Sequence, residues 1–328
     1  MAGIKVSVFH GEAFNVQADA LILKYGKTSY GLEKIVEREF YRLGTSITDK
    51  LPTQVGQYFL TESQKITQTD SILFIGIEPM EDFGYKEIRE YGKNAIAALA
   101  KANLPIKRIL MTIQGPRLGL DENEAFSCQI AGIHDSIIAN NFPPTLSEII
   151  FVERSASTAS ILQNVIQRLF PTGEIPTNQT TGSLELSKDT SDTLKSVGIK
   201  SESKKVIFVA MPFASVFDDC FHYGIQGAVN SFGYLCERAD LNSFTGDVME
   251  FVKERIANSD FVIADLTTAN PNVYLEVGYA WGLNKKTVLL IKDANELEFD
   301  TRGQRCLQYT TIKDLENKLK NELASLKL

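Results

Sequence analysis

One stretch concentrates the side chains able to do chemistry, VIADLTTANPNVYLEVGYAWGL at residues 262–283. Asp265 ends an apolar run that reads as a buried strand, which puts its carboxyl at the ligand end of a parallel sheet. Thr267 and Thr268 follow as a polar loop. Asn270 then caps a helix that has Pro271 at its first position. Glu276 falls in the second turn of that helix, with Val273, Val277 and Ala280 beside it. A carboxyl in such an apolar setting can stabilise a developing cation or attack it. Asp265 has two readings that the sequence leaves open: it binds substrate hydroxyls or orients Glu276, or it caps its own loop.

Other candidates flank this stretch. Met211, Pro212 and Phe213 end the first strand of the same half and can lie against a planar ring. Asp218 can reach a sugar hydroxyl, or with Asp219 it simply opens a helix. Arg238 has the planar fork that suits a phosphate, and an ion pair with Glu237 or Asp240 is its plainer use. Thr267 and Asn272 complete the set of expected substrate contacts, while Tyr279 and Trp281 serve a pocket or the core. His222, in an expected helix, reads as a surface or core-edge histidine. In the first half, QGPRLGLDENEAF at 114–126 runs from a strand into a helix. Gly115 and Gly119 there can cradle phosphate with backbone amides, and Arg117 adds charge.

These groups need elements to hold them. In the first half, strands are expected at 4–9, 20–24, 58–61, 71–77, 108–113 and 148–152, with amphipathic helices at 32–43, 85–102, 122–140 and 158–169. In the second half, strands at 206–211, 234–237, 261–265 and 287–291 alternate with helices at 217–232, 247–257, 273–283 and 314–326. Alternation of this kind makes an α/β protein whose sheets are mainly parallel and flanked by helices. Residues 171–204 are rich in Thr, Ser, Gly and Lys and read as a linker. The expected domains are therefore 1–170 and 205–328.

The length of 328 residues fits two domains, and 44% hydrophobic residues suffice for two cores. A net charge of −7 argues against broad nucleic-acid binding, so DNA is not an expected partner. No apolar run approaches the ~20 residues that cross a bilayer, and the opening residues carry no signal-peptide pattern. The four cysteines are isolated, with no metal-ligand spacing, which fits reduced thiols in a cytoplasmic chain and no metal site.

The second half resembles the superfamily of nucleoside 2-deoxyribosyltransferases and bacterial TIR-like NAD-cleaving domains. The residues that carry the likeness are VIFVAMPF, Phe217-Asp218-Asp219, Arg238-Ala239-Asp240, and Ala264-Asp265-Leu266-Thr267 leading to Glu276-Val277-Gly278-Tyr279. The resemblance implies a flavodoxin-like fold with Glu276 acting at the anomeric carbon of an N-glycosidic bond. The first half, from VSVFHGEAFNVQADALIL onward, loosely resembles macro-like nucleotide-binding domains. It lacks their loop signature, and a CARF-type sensor of Rossmann-like build is the alternative.

A neutral nucleobase leaves only with a proton from a general acid, whereas the nicotinamide of NAD is already cationic and leaves neutral. With no obvious acid partner for Glu276, NAD is the expected substrate, and no cofactor is expected. A nucleoside deoxyribosyltransferase or nucleotide N-glycosidase is the alternative, and a non-catalytic nucleotide-binding module the third reading. The domain order implies a sensor half activated by a cyclic oligonucleotide or ADP-ribose derivative. The resemblance further implies self-association as a homo-oligomer or filament, and a role in antiviral defence.

Overall fold

The computed structural model describes all residues except 1–2, 27–30, 80–81, 116–118, 178–185, 239–247, 297–302 and 327–328. The chain divides into two units, Met1–Gly115 with Glu122–Glu202, and Pro116–Asp121 with Ser203–Leu328. Among the described residues no helix is long and apolar enough to cross a membrane.

The first unit contains β1 (Ile4–His10), β2 (Ala18–Tyr25), α1 (Leu32–Arg42), β3 (Tyr58–Glu62), β4 (Thr69–Gly76) and α2 (Tyr85–Lys101). It continues with β5 (Arg108–Thr112), α3 (Glu122–Ile138), β6 (Glu148–Glu153), α4 (Ala156–Leu169), β7 (Glu174–Ile175) and α5 (Lys188–Ser196). Its seven strands lie in the order β3-β4-β2-β5-β6-β1-β7. The five central strands run parallel, and the edge strands β3 and β7 are antiparallel to their neighbours. Strands such as Leu21–Leu23 and Ile72–Ile75 are buried on both faces, which explains their unbroken apolar runs.

Residues 171–204 are not a bare linker. Ile175 pairs with Ile4 and is fully buried. Leu194 and Val197 are also buried, and the buried Arg89 donates to the Val197 carbonyl while binding Asp135 through two nitrogens at 2.8 and 2.9 Å. These apolar anchors are only a few residues in a polar stretch, so composition hides them.

Helices α2 and α3 approach backbone to backbone. A Cβ added at Gly132 would lie 1.8 Å from the Arg89 carbonyl oxygen, and one at Gly92 would lie 2.4 Å from that of Gln129. Backbone cannot yield as a side-chain tip does, so Gly132→Ala forces the helices apart. We expect a loss of roughly 1–3 kcal/mol, typical of overpacking, read as a lower urea midpoint.

The second unit contains β8 (Val206–Ala210), a π-helical segment (Cys220–Gln226), α6 (Gly227–Asn230), β9 (Leu235–Glu237) and α7 (Val248–Asn258). It ends with β10 (Phe261–Asp265), α8 (Pro271–Gly282), β11 (Thr287–Ile291), β12 (Cys306–Gln308) and α9 (Ile312–Ser325). The five strands are all parallel in the order β12-β11-β10-β8-β9. Counted from the first strand of the unit, this is the flavodoxin-like order 2-1-3-4-5. Alternate residues of β8 and β10 face opposite ways. Phe208, Ala210, Val262 and Ala264 pack on α7 and α8, whereas Ile207, Val209 and Ile263 pack on the π-helical segment and α9. The single helix expected over 217–232 is instead broken into a 3-10 turn, the π segment and α6.

Candidate functional site

In a 2-1-3-4-5 sheet the crevice opens where the connections from neighbouring strands diverge, here at the carboxyl ends of β8 and β10. Ala210 and Ala264 are paired there, so Met211 and Asp265 leave the sheet side by side.

Asp265 is fully buried. Its Oδ1 accepts from the Thr267 hydroxyl (2.6 Å) and the Thr267 N–H (3.0 Å), and its Oδ2 accepts from the Tyr309 hydroxyl (2.6 Å). Thr267 Oγ1 in turn accepts from the Lys292 N–H at 3.2 Å. Of its two readings, Asp265 takes the local one. At 0% exposure it touches no solvent, and neither it nor the Thr267 hydroxyl is free to serve as a ligand contact. Asp265 anchors its own loop and the segment of Tyr309. The loop it anchors turns through two left-handed residues, Thr268 (φ 69°) and Ala269 (φ 48°), a conformation unfavourable for a β-branched side chain. Asn270 then caps α8 by accepting from the Asn272 N–H at 3.0 Å.

Glu276 lies one turn into α8 and is 6% exposed, among Val273, Val277 and Ala280. No hydrogen bond or ion pair to its carboxyl exists among the described residues. Burial alone pushes its pKa up to about 7 from the ordinary 4.5. Asp265 and Glu276 therefore sit in opposite environments, one saturated with donors and the other without any.

A second cluster forms at the same end of the sheet and joins four of the expected residues. The Arg238 guanidinium lies 4.1 Å from the centre of the Phe221 ring and 5.8 Å from that of Phe213. Its nitrogens lie 3.8 Å from Met211 Sδ and 3.5 Å from Asp218. Of the plainer partners expected for Arg238, Glu237 instead pairs with Arg255 at 3.1 Å, and Asp240 lies outside the described residues. Met211 and Pro212 are buried, Phe213 is half-buried and Asn272 is exposed. His222 is buried beside Phe221, its Nδ1 3.3 Å from Gln226 Oε1, and burial holds its pKa below the usual imidazole range.

Two residues went unnoticed in the sequence. Tyr309 supplies the hydroxyl on Asp265 and itself accepts from Cys220 Sγ at 3.4 Å. Burial, followed by the nearby Asp265 charge, pushes the phenol far above its usual range, so it stays a donor. Lys292, at the end of β11, holds its ammonium 5.7 Å from both the Phe217 and Tyr309 rings. The usable signal was position, since residues just past a parallel strand's carboxyl end face the crevice. β12, which delivers Tyr309, is only three residues long and was missed.

In the expected phosphate cradle, Gly115 and Gly119 do adopt left-handed backbone (φ 104° and 79°), while Arg117 lies outside the described residues. Among the described residues no group of three metal-ligating side chains forms.

No protein-family model matches this chain, and no curated protein matches it. Among solved structures, it is similar to the Clostridium botulinum CMP N-glycosidase BcmB at 19% identity, over 38% of this chain and 100% of that one (TM-score 0.31). It is also similar to an Oceanobacillus iheyensis macrodomain at 14% identity, over 49% of this chain and 90% of that one (TM-score 0.37). A Trypanosoma brucei macrodomain in complex with ADP is 12% identical over 49% of this chain and 69% of that one (TM-score 0.39). The fold assignment itself rests on the two strand orders: an α/β protein of two units, each built on a mainly parallel sheet flanked by helices.

Two stability measurements check the electrostatics. Tyr309→Phe leaves a fully buried Asp265 oxygen without its donor and is expected to cost roughly 1–3 kcal/mol, read by chemical unfolding. For Glu276 the sign is opposite. From the ordinary 4.5 up to about 7 the unfolded chain gives up this proton before the folded one does, so stability falls as pH rises. Glu276→Gln is therefore expected to unfold at a higher temperature than the wild type near pH 8, with the gap closing towards pH 4.

Proposed function

We propose that the second unit is an N-glycosidase that cleaves NAD, with Glu276 as its catalytic residue. The observation that carries this reading is the pairing of burial and isolation at Glu276, a carboxyl without a hydrogen-bond partner among the described residues, at the ligand end of a 2-1-3-4-5 sheet. Heterolysis of the C1′–N bond sends the bonding pair to the nicotinamide ring, which leaves neutral, and leaves an oxocarbenium ion on the ribose. An ionised Glu276 across the ring stabilises that cation, in a setting where little else competes for its charge. Water then adds to C1′ and releases a proton, giving ADP-ribose and nicotinamide. Arg238 on its aromatic platform is the candidate for the pyrophosphate, and Met211, Pro212 and Phe213 are the candidates for the nicotinamide face. Asn272 is the remaining candidate for a ribose contact.

In the same reading the first unit senses a nucleotide-derived signal, such as a cyclic oligonucleotide or an ADP-ribose derivative, in bacterial antiviral defence. A standing NAD-cleaving activity would deplete the host, which gives such a control domain its purpose. The expected result is nicotinamide release that depends on one member of a panel of these ligands and is reduced roughly 10²–10⁴-fold by Glu276→Gln.

One observation favours a second reading. A carboxyl that titrates at about 7 is half protonated at neutral pH and can hand a proton to a neutral nucleobase. A nucleotide N-glycosidase or deoxyribosyltransferase would use it so. The pH profile of kcat/KM separates the two. A carboxylate that stabilises the cation gives a rate rising through about pH 7, and a general acid gives a rate falling through it.

A further inference from the structure

Strand β9 is three residues long, and Arg238 directly follows it. It forms an edge of the second unit's sheet. Three residue pairs hold it to β8: Val206 with Leu235, Ile207 with Cys236, and Phe208 with Glu237. So short a strand specifies its register weakly, and a slip of one residue would turn Arg238 to the opposite face. A further tie comes from outside the sheet. The Leu235 N–H donates to the Lys205 carbonyl at 2.8 Å, so the Cys236 N–H, next along the strand, points off the sheet edge. Its acceptor is Asp121 Oδ2, at 2.9 Å. The same oxygen accepts from Asn230 Nδ2 at 2.8 Å, and that amide also donates to the Tyr234 carbonyl at 3.1 Å. Asp121 thus holds β9 by its backbone and, through Asn230, the turn that leads into it. Asp121 and Cys236 are both buried, so water does not stand in for this bond.

We propose that Asp121 is a positioning residue for Arg238. The proposal rests on the reading of Arg238 as the pyrophosphate contact of an NAD-cleaving site. The Arg238 side chain is only 12% exposed, with its guanidinium 4.1 Å from the centre of the Phe221 ring and 3.8 Å from Met211 Sδ. It cannot follow a shifted backbone without leaving that platform. An aspartate just before a helix ordinarily caps it, and Asp121, just before α3, directs Oδ2 to the edge strand instead. Pro116–Asp121 is also the only stretch before Ser203 that belongs to the second unit. The segment that reads as a phosphate cradle of the first half therefore ends by completing the substrate site of the second.

Two readouts on the full chain keep this proposal apart from the reading it rests on. The first needs no substrate. The Arg238 Nε–H resonance, identified as the one lost in Arg238→Lys, is displaced by the Phe221 ring current in the wild type. Asp121→Ala is expected to return it to the ordinary arginine position and to speed hydrogen exchange at the Cys236 N–H at least about tenfold. Asn230→Ala, which takes away one donor to Asp121 and loosens the same turn, is expected to move the resonance in the same direction and serves if Asp121→Ala does not fold. The second readout is nicotinamide release from NAD, measured with the same ligand panel. Asp121→Ala is expected to raise KM about tenfold with kcat within about twofold, and to add nothing in an Arg238→Met background. A merely structural role would lower the active fraction, and so kcat, and leave KM alone. An Arg238 resonance unmoved in both variants overturns the proposal. So does a loss in kcat with KM kept, or a KM effect that persists in the Arg238→Met background. If the wild type releases no nicotinamide, the cleavage reading fails and the resonance alone decides whether Asp121 places Arg238.

Discussion

The fully buried carboxyl of Asp265 is the constraint on which the second unit's ligand end depends. A carboxyl without access to water must find its donors within the fold, and the cost of failing is large. Asp265 finds them in Thr267, two residues on, and in Tyr309, 44 residues on. The first contact sets the turn that starts α8. The second ties that turn to the segment leading into α9, and through Cys220 to the π-helical segment that carries Phe221 and His222. The elements presenting Glu276 on one side of the sheet and Arg238 on the other thus share one buried group.

That arrangement gives two carboxyls of one connected stretch different work. Asp265 is held by three hydrogen bonds and is spent on geometry. Glu276 is held only by the packing of its helix and keeps its carboxyl unspent, at an energetic cost that shows as its raised pKa. In the function proposed for this unit, that unspent carboxyl is the group the chemistry uses.

Much of this was legible in the sequence, because the signals were local. The Asn270-Pro271 helix start, the apolar spacing around Glu276 and the strand ending at Asp265 all lie within about one helical turn of what they specify. The same holds for the parallel cores, whose β-branched runs are read directly. The rest depended on contacts made far along the chain. Tyr309 is an unremarkable tyrosine until folding brings it to Asp265, and nothing near Asp265 distinguishes a carboxyl that meets ligand from one sealed by a distant phenol. The polar composition of 171–204 concealed a strand and a helix, because the buried Ile175, Leu194 and Val197 and one arginine contact suffice to hold them. The broken helix at 215–230 was hidden for a related reason, since a π segment of seven residues is too short to show a period of its own in the sequence.

The central claim is that Glu276 is a desolvated, unpartnered carboxyl, and its own titration tests that most directly. With glutamate carboxyl carbons labelled by ¹³C, the resonance lost in Glu276→Gln identifies the group, and its shift is followed against pH in the full chain. A midpoint of about 7 is the result predicted, set by burial alone. A midpoint at the ordinary 4.5 would mean that water or a donor reaches the carboxyl, and the chemistry assigned to Glu276 would lose its physical basis.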